Sequence, residues 1–287
     1  MGRARVWLRP VKSTGVWLLA LLLALGSTVP IVWIVLTSFK TFVQTQVTPP
    51  VVWPGLHYVE NYTSQFTHRG GSLGSALGPL ERSLIIATLT TAIVLAAAIP
   101  AGYSLARYRI RRKRDIQFWI ISTRMMPLIA GIVPLSVLLQ KLGLTDTIPG
   151  LIIVYVGINL SFAVWLLSIF FQSVPPEVEQ AAQIDGHSRL GVLWYVAIPL
   201  ARAGIVVVAI FTWIFAWNEL LDALVLTTSA TETLPVFLSK FYSQNTLISY
   251  QEMAAVAAVQ IMPAVLVTFL AQRYLVAGLS MGALSAE

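Results

Sequence analysis

Cysteine is absent from all 287 residues, so disulfides, a thiolate metal site and a cysteine nucleophile are excluded. Charge is scarce as well. Charged residues make up 11% of the chain against 57% hydrophobic ones, and the mean hydropathy is +0.78, a balance that rules out an ordinary soluble globule. His57, His68 and His187 are the only histidines, and they form no i, i+4 pair and no cluster with Asp or Glu at ligand spacing, which leaves a metal site without support. No G-x-x-x-x-G-K-[ST] loop is present to cradle the phosphates of a nucleotide, and no aspartate-bearing strand to hold magnesium. The acids sit in separate loops, so neither a Ser-His-Asp set nor a catalytic carboxylate pair can be assembled. What remains is a non-catalytic, polytopic membrane protein.

A formal net charge of +7 raises the question of a nucleic-acid footprint. The basic residues, however, cluster at the ends of apolar runs, as membrane topology requires, and no nucleic-acid partner is expected. Residues 1–15 carry Arg3, Arg5, Arg9 and Lys12 with no acid, which predicts a cytoplasmic amino terminus. The apolar run 16–39 has the length of a first span and exceeds the h-region of a signal peptide. Residues 40–81 read as an external loop with little regular structure; Asn61-Tyr62-Thr63 there is a glycosylation sequon by pattern only, and a turn or helix-cap role is expected of it.

A second span at 82–106 contains Pro100 and Gly102. The basic loop 107–115, with Arg107, Arg109, Arg111, Arg112, Lys113 and Arg114, is the strongest topology signal. Positive-inside anchoring explains it more simply than an anionic lipid or acidic partner. The third span, 116–140, holds Arg124, Pro127 and Pro134; a short external turn, 141–147, leads to the fourth span, 148–172, with Asn159. Residues 173–200 then form an internal loop, 201–227 a fifth span, 228–252 an external segment with a short helix near 234–242, 253–275 a sixth span and 276–287 a cytoplasmic tail. The external basic residues are only Lys40, Arg69, Lys141 and Lys240, so the charge count agrees with both termini inside. The expectation is an all-α membrane protein of six transmembrane helices in a bacterial plasma (inner) membrane. A secondary, ion-coupled transporter would be expected to carry an internal repeat, and none is visible; a membrane-embedded enzyme would need a convergent catalytic set, also not visible.

The internal loop is the most structured stretch. Pro175-Pro176 end the preceding run and place a proline in the first turn of a new helix, where its missing N–H costs nothing. Glu177 and Glu179 complement the positive end of the helix dipole, and Gly186 supplies a stop. A second helix is expected from Ser188, with a break at Pro199.

In this loop Gln180-Ala181-Ala182, Gly186, Val196, Ile198 and Pro199 fall at the spacing of the EAA loop of ABC importer permeases, with Gln180 in place of the first Glu. Ser38-Phe39-Lys40, Glu60-Asn61-Tyr62, Ser122-Thr123-Arg124-Met125-Met126-Pro127, Trp217-Asn218-Glu219 and Gln272-Arg273-Tyr274 resemble the carbohydrate branch of that family, the maltose-type permeases of six helices. The resemblance implies a type I importer fold, a sugar or polyol as solute, and a multi-pass permease that forms half of the pathway. It implies as partners a second permease in a heterodimer, two copies of a cytoplasmic ATPase that bind the ATP and magnesium, and an extracytoplasmic solute-binding protein or lipoprotein. No cofactor is expected in this chain.

The same resemblance makes the 173–200 helix a coupling lever. Glu177, Glu179, Gln180 and Ala181 are the first candidates for contact with the ATPase, followed by Ala182, Asp185, Gly186 and Pro199. Small Ala181 and Ala182 permit close approach to a socket, and with Gln180 uncharged, Glu179 or Glu177 is expected to supply the acidic contact. Candidates for the solute path are the polar groups within apolar runs: Arg124, Asn159, Asn218, Glu219 and Asp222, together with Trp217 as an aromatic platform. The competing expectation for Arg124 is a tie to a helix-five acid or to carbonyls freed by Pro127, and for Trp213 and Trp217 packing or interfacial anchoring.

Overall fold

The computed structural model describes residues 13–55, 58–67, 71–243 and 248–284. His57, His68, Arg69, the amino-terminal basic residues and the side chains of Arg273 and Tyr274 lie outside that description. Two compact units are present. One comprises residues 1–75 and 244–259, the other 76–243 and 260–287.

In the first unit, α1 (Ser13–Ser38) is apolar all round, and none of its apolar window is buried within the chain. It is followed by α2 (Phe42–Gln46) and α3 (Glu60–Gln65), two short helices in a loop expected to be irregular. The reason is local capping. Thr41 accepts from the backbone of Gln44 while Gln44 reaches back to Thr41 N–H, a reciprocal box that satisfies two orphan donors. Asn61 then closes α1 from outside: its Nδ2 donates to the carbonyls of Ser38 at 2.7 Å and Lys40 at 2.9 Å, groups that the helix end leaves unpaired. Tyr62 adds a hydroxyl contact to Ser38 at 2.6 Å and a ring contact to Phe39 at 5.4 Å. Two stretches of sequence quoted above for their family likeness are thus the two halves of one clamp. Asn61 is buried and does not present a sequon to solvent.

The second unit is built on α4 (Leu77–Arg107), α7 (Ile148–Gln172) and α11 (Arg202–Trp217), which pack on one another. Their shared core includes Val94, Ala98, Leu167, Phe171 and Val208. Small residues set the separation. A Cβ on Gly102 would lie 2.9 Å from Leu167 Cβ and 3.2 Å from the Val164 carbonyl, so only glycine allows α4 and α7 to meet there.

Among the described residues four helices are long and apolar enough to cross a membrane, or up to six if each of two bent pairs counts as one span. The bent pairs depart from the expectation of unbroken third and fifth spans. At the third, α5 (Lys113–Ser122) passes through a 3₁₀ turn at Thr123–Met125 into α6 (Leu128–Lys141) with a 90° bend. Pro127 forces the residue before it out of the helical region, and Met126 is extended at ψ 130°. The fifth stretch is interrupted twice. Helix α8 (Pro176–Ile184) is followed by α9 (Arg189–Val192), a π turn at Leu193–Ala197 and α10 (Ile198–Leu200), and the pair meets α11 at 80° just after Pro199. Helix α11 itself stops at Trp217 and resumes as α12 (Leu221–Leu226). Polar side chains make that second gap: Asn218 Nδ2 donates to the Ile214 carbonyl at 2.9 Å, and Glu219 Oε1 accepts from Asp222 N–H at 3.2 Å. Helix α13 (Leu234–Ser243) occupies the place foreseen for a short helix near 234–242, with Ser83 Oγ accepting its first N–H at 2.8 Å. The last helix, α14 (Tyr250–Leu284), runs through both units.

Candidate solute cavity and coupling helix

The breaks at Thr123–Pro127, at Asp185–Gly186 and after Trp217 fall where polar residues were singled out, and they build two separate places. The first is a cavity of about 470 Å³. It is lined by the turn at Thr123–Pro127, by α6, by the middle of α7 and by the gap between α11 and α12. Arg124, Asn159, Asn218, Glu219 and Asp222 all reach its wall. Its volume lies inside the range of about 300–1,000 Å³ typical of small-molecule sites.

Arg124 is held from three sides. Its Nη1 donates to the Ile158 carbonyl at 3.2 Å and to Asn159 Oδ1 at 3.4 Å. The guanidinium lies over the rings of Phe215 at 4.6 Å and Phe162 at 5.3 Å, a geometry that lowers the cost of a cation away from water. Arg124 thus ties α7 to α11 and also lines the cavity. Its carbonyl partner comes from α7 and not from the turn that Pro127 opens. Asn159 is buried and back-bonds to Tyr155 O at 2.9 Å. Asp222 is 2% exposed, and among the described residues its Oδ2 has no hydrogen-bond partner.

Trp217 departs from the expected set. It is 1% exposed, stacks on Trp213 at 5.1 Å, and donates from Nε1 to the Gln260 carbonyl at 3.0 Å. Its indole is spent on joining α11 to α14, and the ring does not line the cavity. Phe162 and Phe215 are the aromatic neighbours of Arg124, and neither was singled out in the sequence; phenylalanines in apolar runs carry no signal apart from their partners.

The second place is α8 and the turn behind it. Pro176 opens the helix, and Gly186 at φ +92° closes it. His187 N–H bonds to Ala182 O at 3.1 Å and Gly186 N–H to Gln183 O at 3.1 Å, the paired bonds of a Schellman stop. Ser188 then caps the next helix, accepting from Gly191 N–H at 3.1 Å. The outer face shows Glu177, Gln180, Ala181, Ile184 and Asp185, with Ala182 half-buried and Gly186 and Pro199 exposed behind it. Ile184 is 86% exposed.

Glu179 faces the other way, and this corrects the expectation that it reaches an outside socket. It is 4% exposed. Arg107 of α4 grips its carboxylate through Nε at 2.9 Å to both oxygens and Nη2 at 2.7 Å, and Tyr103 donates its hydroxyl at 3.0 Å. The same Nη2 also donates to the Val174 carbonyl at 2.7 Å. Of the two acids in the first turn, Glu177 alone remains free to face a partner. In the sequence Arg107 reads as one of the topology-setting charges. The signal for its other role was its spacing, since Tyr103 and Arg107 are four residues apart and share a helix face.

Residues 98–281 match the family described as binding-protein-dependent transport system inner membrane component. The chain belongs to that family. A putative ABC transporter permease of Streptomyces antibioticus is 36% identical over 202 residues, 70% of this chain and 88% of its own. A trehalose transport system permease of Mycobacterium tuberculosis is 35% identical over 259 residues, covering 88% of this chain and 91% of the relative. Among solved structures, a bacterial ABC transporter involved in import of the acidic polysaccharide alginate superposes with TM-score 0.72 at 23% identity, over 93% of this chain and 98% of that one. The permease fold is the type I importer fold, and the chain is a multi-pass, non-catalytic component of an inner membrane.

Proposed function

We propose that this permease forms half of the translocation pathway of an ATP-driven, binding-protein-dependent importer for a sugar or related polyol. The observation that carries the reading is α8: a short helix pinned to α4 by a buried ion pair, with a separate outward face exposed. Such a helix transmits a push from outside to the spans behind it as a rigid element. Supporting the solute side are the relatives named for trehalose, trehalose/maltose and diacetylchitobiose transport, together with a largely apolar cavity that Arg124, Asn159, Asn218, Glu219 and Asp222 reach.

The energy source is a cytoplasmic ATPase in two copies that bind ATP and magnesium, docked on α8 through Glu177, Gln180, Ala181 and Ala182, with Asp185 and Gly186 shaping the turn and Pro199 the bend into α11. A second permease completes the pathway, and a solute-binding protein delivers from outside. Both termini and α8 lie on the cytoplasmic side, where the basic loop after α4 anchors the topology. The lever reaches further than the sequence suggested, since Glu179 ties α8 to α4 and not only, through the chain, to the spans that flank it.

Reconstitution of the whole complex in proteoliposomes tests this. Uptake is expected only with ATP and binding protein present, and Gly186→Val is expected to abolish coupling while the complex still assembles. Uptake by this chain without partners, or uptake indifferent to ATP, overturns the proposal.

A further inference from the structure

We propose that the basic loop after α4, together with Arg189 of α9, forms a binding site for the headgroup phosphate of an anionic phospholipid, with the acyl chains lying along α5. The site goes beyond the importer reading and needs neither its solute nor its ATPase.

Six basic residues stand within residues 107–114, and Asp115 is the only acid beside them. Two of the six are used inside the fold: Arg107 grips Glu179, and Lys113 Nζ donates to the Ala106 carbonyl at 3.4 Å. Arg109, Arg111, Arg112 and Arg114 are exposed, and among the described residues none of them has an ion pair. The backbone crowds them together. Arg112, in the left-handed region at φ 60°, turns the chain into α5, and Lys113 N–H closes the turn on the Ile110 carbonyl at 3.2 Å. A fifth arginine arrives from the coupling loop: the guanidinium of Arg189 lies over the ring of Tyr108 at 5.4 Å, beside the start of the basic loop. Like charges gathered this way repel one another. A phosphate relieves the repulsion and offers oxygens that a guanidinium fork engages two at a time.

The owner of that phosphate is set by α5. Its exposed face begins with Arg114 and continues one turn later, about 6 Å along the axis, with Phe118 at 65% and Trp119 at 70% exposed. Beyond them Met125 and Ile129 keep the surface apolar and exposed into the third span. A free phosphate gains nothing from such a surface, and a nucleic acid does not enter it. A phospholipid carries both a phosphate for the arginines and chains for the apolar face, with the indole of Trp119 at headgroup depth. Positive-inside anchoring accounts for the sign of the loop, but for neither the arginine brought from the coupling loop nor the graded face of α5.

Tryptophan quenching tests this in the assembled complex. Phosphatidylcholine nanodiscs hold the same minor fraction of either acyl-brominated phosphatidylglycerol or acyl-brominated phosphatidylcholine, and the quenching lost in Trp119→Phe isolates the signal of this one indole. That signal is expected to be at least about fivefold larger with phosphatidylglycerol, the enrichment that a single arginine near the surface provides. Arg189→Gln and the pair Arg111→Gln/Arg112→Gln should each lower the ratio. The pair Arg111→Lys/Arg112→Lys keeps every charge, and with it the topology, yet should also lower the ratio, because an ammonium offers no fork. No Trp119 signal, a ratio near one, a ratio that the glutamine variants leave unchanged, or full retention in the lysine pair, which leaves only diffuse attraction to the surface, overturns the proposal. So does enrichment around the permease alone that vanishes in the complex, since the patch then belongs to the ATPase. The quenching needs neither ATP nor solute, so its outcome is separate from that of the uptake assay on which the importer reading depends.

Discussion

Arg107 holds Glu179 through two donors, Nε at 2.9 Å from both carboxylate oxygens and Nη2 at 2.7 Å from Oε1, with the acid's side chain 5% and the base's 15% exposed. A pair this deeply buried is costly to split, because the survivor is left as an uncompensated charge. Glu179→Ala or Arg107→Ala is expected to destabilise the permease by about 3–5 kcal/mol. Arg107→Lys should recover little, since a lysine cannot reproduce the bidentate fork. Thermal unfolding of the four members of a Glu179/Arg107 double-mutant cycle measures the coupling; a double variant no more stable than the sum of the singles predicts would argue against the pair.

Asn61 makes a different kind of tie, two neutral bonds from one amide to the Ser38 and Lys40 carbonyls. Asn61→Ala leaves both acceptors unpaired in a buried place and should cost about 1–3 kcal/mol. Asn61→Asp is expected to be worse, because it puts an acceptor where a donor is needed. Hydrogen exchange over residues 38–46 reads the effect locally, with faster exchange expected in both variants.

The helix-turn-helix at 176–200 was legible in the sequence because its limits are set by residues with strong local rules: Pro176 at the start, Gly186 at the stop, Ser188 as the next cap and Pro199 before the bend. The facing of its two acids was not. Glu177 and Glu179 are alike to any local rule, and what separates them is an arginine 72 residues earlier. Likewise the polar residues of the cavity could be picked out by their cost in an apolar run, yet Asn159 joins Arg124 only through the packing of α7. Trp217 reads in the sequence either as a cavity platform or as packing, and its indole N–H, committed to a carbonyl on the last helix, decides for packing. The break at Asn218 was hidden by an apolar run that continues on both sides of it.

Asp146, in the turn between α6 and α7, offers a pH handle. Hydrogen bonds from the Thr228 hydroxyl and N–H and from the Thr231 hydroxyl hold its carboxyl below the ordinary aspartate range. A group whose folded value is depressed stabilises the fold above its unfolded value, about 3.9, and loses that contribution as pH falls through the folded one. Unfolding of the detergent-solubilised permease should therefore show an acid limb beginning below about pH 4. Asp146→Asn should flatten that limb and lower stability at neutral pH; an unchanged limb would assign the acid sensitivity elsewhere.

Ile184 is the last residue of α8 and 86% exposed, an apolar side chain at the edge of the face that carries Glu177, Gln180 and Ala181. So exposed a side chain adds little to the fold, and its replacement separates folding from docking. Ile184→Asp should leave the permease's own unfolding temperature unchanged, since exposed positions tolerate such changes to within about 0.5 kcal/mol. Within the assembled importer it places a charge at the edge of the docking face, and burying an unpaired charge there is strongly unfavourable. ATPase co-purification is therefore expected to fall at least several-fold, and solute-stimulated hydrolysis with it, whereas Ile184→Leu should restore both. Loss of thermal stability in Ile184→Asp alone would mean that the side chain supports the fold, and full ATPase retention would mean that the docking face lies elsewhere on the loop.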